Sequence, residues 1–158
     1  MPDRLQAIHQ ALPDRTPLIR AAREVNDRKP QIVADRIVKL AKRFRQPVIG
    51  LLGLSYKPNV GDLRESPALE IACKVASRRV GKILAVEPHL SELPPPLANY
   101  PGVRLTDLAT AVHRADIVAV LVAHSKFRSL DRGAVSSKIV VDTVGLLAGS
   151  DDAPWRAA

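Results

Sequence analysis

Residues 48–54, VIGLLGL, contain no polar side chain, and comparable apolar bursts return at 83–87, 117–122 and 138–142. A strand apolar on both faces belongs inside a parallel sheet that helices cover above and below. Between the bursts the spacing changes to that of helices, at 67–79 and at about 106–114, with Ser66-Pro67 as an N-cap followed by proline at the first helical position. Strand and helix in alternation predict βαβ units. Upstream, Thr16-Pro17 opens a helix in which Leu18, Ala22, Val25, Val33, Ile37, Leu40 and Phe44 follow a 3-4 spacing and build one apolar stripe. Pro30 either kinks this helix or divides it, because proline removes a hydrogen bond and clashes one turn back. The stripe faces a core or a partner, and its spacing does not distinguish the two.

The expected fold is therefore α/β, a Rossmann-like three-layer parallel sheet preceded by a long, Pro-kinked amphipathic helix. Three segments follow: a helical one at 1–46, the α/β domain at 47–148 and a tail at 149–158, where the rhythm is lost although Trp155 could dock. The proline-rich stretch 90–102 reads as a surface connection. At 158 residues, with 46% apolar and 25% charged side chains, the chain supports one ordinary core. A single cysteine, Cys73, excludes an internal disulfide framework and fits a reducing compartment. The first ten residues lack a signal-peptide core, and apolar runs such as 117–123 are too short to span a bilayer, so the expectation is a soluble cytoplasmic protein with no membrane partner.

Charge changes this picture less than its total suggests. Residues 1–46 hold 11 Lys/Arg against 5 Asp/Glu, a net of +6 out of the chain's +8. On a helix much of that is a solvated face, with Arg20/Glu24 and Asp35/Lys39 spaced to pair. With 3% aromatic residues there is little to stack on bases, and no nucleic-acid motif appears, so a nucleic-acid partner is not expected.

Candidate chemistry concentrates just past the first core strand, where Tyr56, Lys57, Asp62, Arg64 and Glu65 fall within ten positions. Ligands of open α/β sheets bind at the carboxyl ends of strands, and Lys57 and Arg64 there, beside free helix N–H groups, suit a phosphate-bearing ligand. The alternatives are an ordinary solvated lysine for Lys57, a packing role for Tyr56, and for Arg64 a salt bridge to Asp62 or Glu65. Glu87, ending the second strand, either meets a polar ligand group or caps the neighbouring turn. Gly50 and Gly53 do not make the dinucleotide fingerprint, since the run is GLLGLS and Glu87 lies 34 residues after Gly53. Cys73 lies mid-helix among apolar residues and is assigned no catalytic role. His9, His89, His113 and His124 show no metal-ligand spacing, and no Ser/His/Asp arrangement can be argued.

The segment GLSYKPNVGDLRESPALEI, with AREVNDRKP at 22–30 and VVDTVG at 140–145, resembles the C-terminal domain of the UDP-glucose/GDP-mannose (nucleotide-sugar) 6-dehydrogenase family, most of all its UDP-N-acetylmannosamine branch. The resemblance implies a UDP-sugar-binding domain at 47–148, with Tyr56 and Lys57 at the substrate. It also implies that Arg64 reaches toward an NAD cofactor held by another domain, and that the chain forms a homodimer through the 17–44 helix. In that family a cysteine of a glycine-rich motif is the nucleophile, and that motif would lie ahead of the present N-terminus. No catalytic residue is therefore expected here, and the chain alone is expected to be inactive. A non-catalytic dimerisation or nucleotide-binding module is the alternative. Two positions depart from the pattern: Gly61 stands where a second aspartate is common, and Val144 where relatives carry a basic residue.

Overall fold

The computed structural model describes residues 17–147. Its order is α1 (Pro17–Ala41), β1 (Val48–Leu52), α2 (Pro67–Ser77), β2 (Lys82–Val86), α3 (Pro95–Ala98), β3 (Val103–Leu105), α4 (Leu108–Arg114), β4 (Ile117–Val120), a 3-10 turn (Ser125–Ser129), α5 (Arg132–Val135) and β5 (Ile139–Asp142). The segment with the cleanest apolar run, β1, takes the central place in a five-stranded, all-parallel sheet ordered β3-β2-β1-β4-β5. Leu51 pairs with Ala85 on one side and with Ala119 on the other.

Side chains alternate across each strand, so the same strands feed two cores. Ile49, Leu51, Ile83 and Ile117 join Ile37 and Ala41 of α1 and Ile71 and Val75 of α2 on one face. Leu52, Leu84, Val118 and Val120 meet Ala111 and Val112 of α4, with Phe127 and Val135, on the other. Full burial of an aliphatic side chain of this size is worth about 1.5–3 kcal/mol, which is why strands apolar on both faces fix the three layers. From β1 the chain works outward through β2 to β3, then returns through α4 to β4 on the opposite flank of β1. The strand order reverses between β1 and β4, and ligands of such sheets bind outside the strand ends at that reversal.

Helix α1 is continuous through Pro30, so the proline does not divide it. The expected stripe divides along its length: Val33, Ile37, Leu40 and Phe44 pack against the domain, and Leu18 and Val25 do not. Pro30, Ala34, Ile37, Val38 and Ala41 are buried against the domain, whereas Leu18, Val25 and Ile32 are 82%, 70% and 64% exposed. At 100° per residue the second set lies almost diametrically opposite the first. Arg20 pairs with Glu24 as spaced, while Asp35 bonds Gln31 and Arg78 instead of Lys39.

Four short elements were not legible as such: α3, β3, the 3-10 turn and α5. The proline-rich stretch is more than a connection, because α3 within it plants Leu97 fully in the core. Thr16, His9 and the tail with Trp155 lie outside the described residues. Among the described residues no helix is long and apolar enough to cross a membrane.

Candidate functional site

The exit from β1 is shaped by one glycine. Gly53 has φ +91°, and a Cβ there would lie 2.5 Å from Val122 Cβ and 2.9 Å from Val122 N. Only glycine lets the chain leave β1 this close to the exit from β4. The loop that follows closes on itself. Ser66 Oγ donates to Leu54 O at 2.6 Å while accepting from Leu69 N at 3.2 Å, and Tyr56 N donates to Asp62 O at 2.8 Å. Asn59 and Glu65 hold left-handed backbone, φ 62° and 52°.

Tyr56, Lys57 and Arg64 are brought together on this one loop, all exposed, with the Arg64 side chain 89% accessible. Arg64 forks onto Asp62, Nε to Oδ1 at 3.0 Å and Nη2 to Oδ2 at 2.8 Å, while its N–H also donates to Oδ1. Of the partners the sequence left open for Arg64, Asp62 is the one found. Hydrogen bonds from Arg64, side chain first and backbone second, pull the Asp62 carboxyl down to about 2, and the charges of Arg64 and Lys57 add to this. In return Asp62 raises the guanidinium above its ordinary value. Glu65 makes no hydrogen bond among the described residues. The free helix N–H groups expected at α2 are largely spent: Ser66 N bonds Leu63 O, Pro67 has no N–H, and Leu69 N is capped by Ser66. That leaves Ala68, itself buried, so anion recognition falls on the Lys57 and Arg64 side chains rather than on the helix end.

Beneath the loop lies a cluster that spacing did not reveal. Glu87, at the end of β2, and His124, past β4, are buried with Ser55. Glu87 Oε2 accepts from Leu54 N at 2.8 Å and Ser55 N at 3.1 Å, and Oε1 accepts from His89 N at 3.2 Å. His124 Nδ1 accepts from Asn59 N at 3.0 Å, which puts the ring proton on Nε2, 3.0 Å from Glu87 Oε2. Of the two sequence readings of Glu87, capping is what the geometry realises. The signal available in sequence was positional: both residues follow core strands at their carboxyl ends.

The same distances exclude three chemistries at this cluster. Ser55 Oγ lies 3.2 Å from the same Nε2 that faces Glu87, so the ring does not bridge hydroxyl and carboxylate as a charge-relay histidine does. Glu87, His89 and His124 approach one another closely enough for a metal, yet both His124 nitrogens and both Glu87 oxygens are already engaged. A carboxylate at the end of the second strand receives the ribose in a dinucleotide-binding sheet, but this one is 3% exposed and bonded to backbone. With GLLGLS in place of the glycine fingerprint, these residues do not fit NAD.

Elsewhere, burial and then the Glu70 charge push the Cys73 thiol above its ordinary value, the opposite of an activated nucleophile. After β5, Asp142 collects the N–H groups of Val144, Gly145 and Leu147, and the Val144 side chain is 43% exposed on that turn.

An all-parallel sheet covered on both faces, with a basic loop at its order reversal and a backbone-bonded carboxylate at the end of β2, is a Rossmann-like domain. The chain belongs to the UDP-glucose/GDP-mannose dehydrogenase family, and residues 50–149 match the UDP binding domain of that family. It is 49% identical over 139 residues to the NDP-N-acetyl-D-galactosaminuronic acid dehydrogenase of Ralstonia solanacearum, covering 88% of this chain and 32% of that protein. With the UDP-N-acetyl-D-mannosamine dehydrogenase of Campylobacter jejuni the identity is 45% over 125 residues, 79% of this chain and 31% of the relative. Among solved structures, the UDP-N-acetyl-mannosamine dehydrogenase from Staphylococcus aureus superposes with TM-score 0.68 at 29% identity, over 87% of this chain and 32% of the other. The GDP-mannose dehydrogenase from Pseudomonas aeruginosa shares the fold, with TM-score 0.73 at 23% identity over 97% of this chain and 37% of the other. The chain thus spans about a third of the length of the curated relatives it matches.

Proposed function

We propose that this domain holds the nucleotide end of a UDP-sugar on the loop between β1 and α2, as its part of an NAD-dependent nucleotide-sugar 6-dehydrogenase. The observation that carries the reading is the Lys57/Arg64 pair displayed on a pinned loop at the sheet's order reversal, within a chain that belongs to the family. Lys57 neutralises the diphosphate, and Tyr56, half exposed beside it, packs against the ligand. Arg64 faces outward toward the cofactor of the longer enzyme; its exposed pairing with Asp62 is the kind that yields readily to a phosphate. The relatives' names point to an N-acetylated sugar, in keeping with UDP-N-acetylmannosamine as substrate. The whole enzyme would oxidise the sugar C6 alcohol to a carboxylate in the cytoplasm, supplying uronic acids for polysaccharide, with NAD accepting the hydrides. Among the described residues none is assigned a step of that oxidation, and an NADH absorbance assay of the 158-residue chain with UDP-N-acetylmannosamine is expected to show no turnover.

A second contact is favoured by α1. Leu18, Val25 and Ile32 recur every seven residues on the face turned away from the domain, one apolar position per heptad where a full helix-on-helix seam has two. A helix of this length gains most of its stability from packing its apolar face, and this seam suits the same helix of a second copy.

Thermal unfolding with added nucleotide tests the ligand reading. Saturation at 100 times the dissociation constant stabilises by about 2.7 kcal/mol, several degrees for a domain of this size. UDP should raise the transition and NAD should leave it in place; a rise with NAD and none with UDP would overturn the proposal.

A further inference from the structure

We propose that His124 is a positioning residue for the nucleotide site: its Nδ1, by accepting the Asn59 N–H, holds the tip of the β1–α2 loop in the shape that displays Lys57. The proposal rests on the reading of that loop as the UDP site and adds the residue that sets its geometry.

Among the described residues, the hydrogen bonds that tie 58–61 to the rest of the molecule all pass through Asn59. Its N–H donates to His124 Nδ1 at 3.0 Å, and its Oδ1 accepts from both N and Oγ of Ser125 at 2.9 Å. Backbone and side chain of Asn59 are thus clipped to two consecutive residues beyond β4. The φ of 62° at Asn59 is left-handed backbone, which asparagine tolerates better than most side chains and which these clips hold in place. Lys57 lies two residues away, and its own carbonyl is held by Ser55 Oγ at 2.9 Å.

The ring is itself held on its remaining sides. His124 is fully buried, with Nε2 facing Glu87 Oε2, the Phe127 ring edge-on at 5.2 Å and the His89 ring tilted 50° at 5.3 Å. Glu87 is anchored in turn by the backbone of Leu54 and Ser55, at the base of the same loop. One rigid cluster therefore fixes both the base and the tip of the segment bearing Lys57, which is how a supporting shell keeps a binding side chain in place.

Two variants of the 158-residue chain, with UDP as the probe, separate positioning from mere support. His124→Asn keeps an acceptor, Oδ1, where Nδ1 stood and gives up the donor to Glu87. His124→Gln keeps a donor toward Glu87 and gives up the acceptor for Asn59. Positioning predicts an asymmetry: His124→Asn binds UDP within about 3-fold of the wild type, and His124→Gln about 10-fold more weakly, the worth of one hydrogen bond. A purely structural role predicts equal losses. In the unmutated chain the Asn59 amide should exchange with deuterium about 100-fold more slowly than that of Gly61, and the His124 ring should show its proton on Nε2. Equal affinities in the two variants, or an Asn59 amide as fast as that of Gly61, would overturn the proposal. If the wild type does not bind UDP, the ligand reading fails, while the exchange comparison still decides whether His124 holds the loop.

Discussion

Replacing Glu87 with alanine removes the acceptor for four donors: the N–H groups of Leu54, Ser55 and His89, and Nε2–H of His124. Leu54, Ser55 and His124 are fully buried, so water does not take over freely. A buried donor left without a partner costs about 1–3 kcal/mol, and local relaxation recovers part of the sum over the four. We expect Glu87→Ala to lose about 3–5 kcal/mol, a large share of the 5–15 kcal/mol typical of a domain. Glu87→Gln keeps one acceptor oxygen and turns an amide group toward the other donors, so its loss should be about 1–2 kcal/mol. Urea unfolding followed by far-UV circular dichroism reads both. With a slope of about 2 kcal/mol/M, the midpoint should fall by roughly 2 M for alanine and under 1 M for glutamine. A midpoint within about 0.3 M of wild type for Glu87→Ala would refute the view that this carboxylate is consumed by the backbone. It would return Glu87 to the list of groups available to a ligand.

Gly53→Ala combines a left-handed φ with a Cβ 2.5 Å from Val122 Cβ, and urea unfolding should show a loss of about 2–4 kcal/mol; a loss below 1 kcal/mol would contradict the close approach of the two strand exits. Asp62, whose carboxyl the Arg64 pairing lowers from 3.8 to about 2, is stabilised as the anion in the folded loop. The pairing is therefore complete above the ordinary carboxyl value and is lost as pH falls through about 2. A carbon-13 titration should place Asp62 near that value and Arg64→Ala should return it toward 3.8; an ordinary value in the wild type would exclude the fork. Val25→Asp, on the exposed face of α1, should convert a dimer to a monomer by light scattering and remove the dependence of the urea midpoint on protein concentration, and a monomeric wild type would sink the seam.

What the sequence disclosed was whatever is local. Strands β1, β2 and β4 are apolar on both faces, so their run lengths announce a covered parallel sheet, and the Ser66-Pro67 pair marks the start of α2 within one residue. Strand β3 escaped because it is three residues long and sits at the sheet edge, where only Val103 needs to be buried. The stripe of α1 read as one because its spacing shows which positions share a face and not what covers them: Val33, Ile37, Leu40 and Phe44 meet the domain, while Leu18 and Val25, eight residues and more upstream of Val33, stay exposed. The Glu87–His124 cluster carried no spacing signal at all. Its members are 37 residues apart, and the sheet order, which a single sequence does not state, is what brings the exits of β1, β2 and β4 together.

The central claim is that the loop between β1 and α2 binds the nucleotide of a UDP-sugar through Lys57. Calorimetric titration of the 158-residue chain with UDP and UDP-N-acetylmannosamine, repeated on Lys57→Ala, tests it most directly. We expect saturable one-site binding of both ligands, weakened about 10-fold or more by the substitution, as loss of a charge-assisted phosphate contact requires. Wild-type affinity in Lys57→Ala, or no binding by the wild type at millimolar nucleotide, would contradict the account.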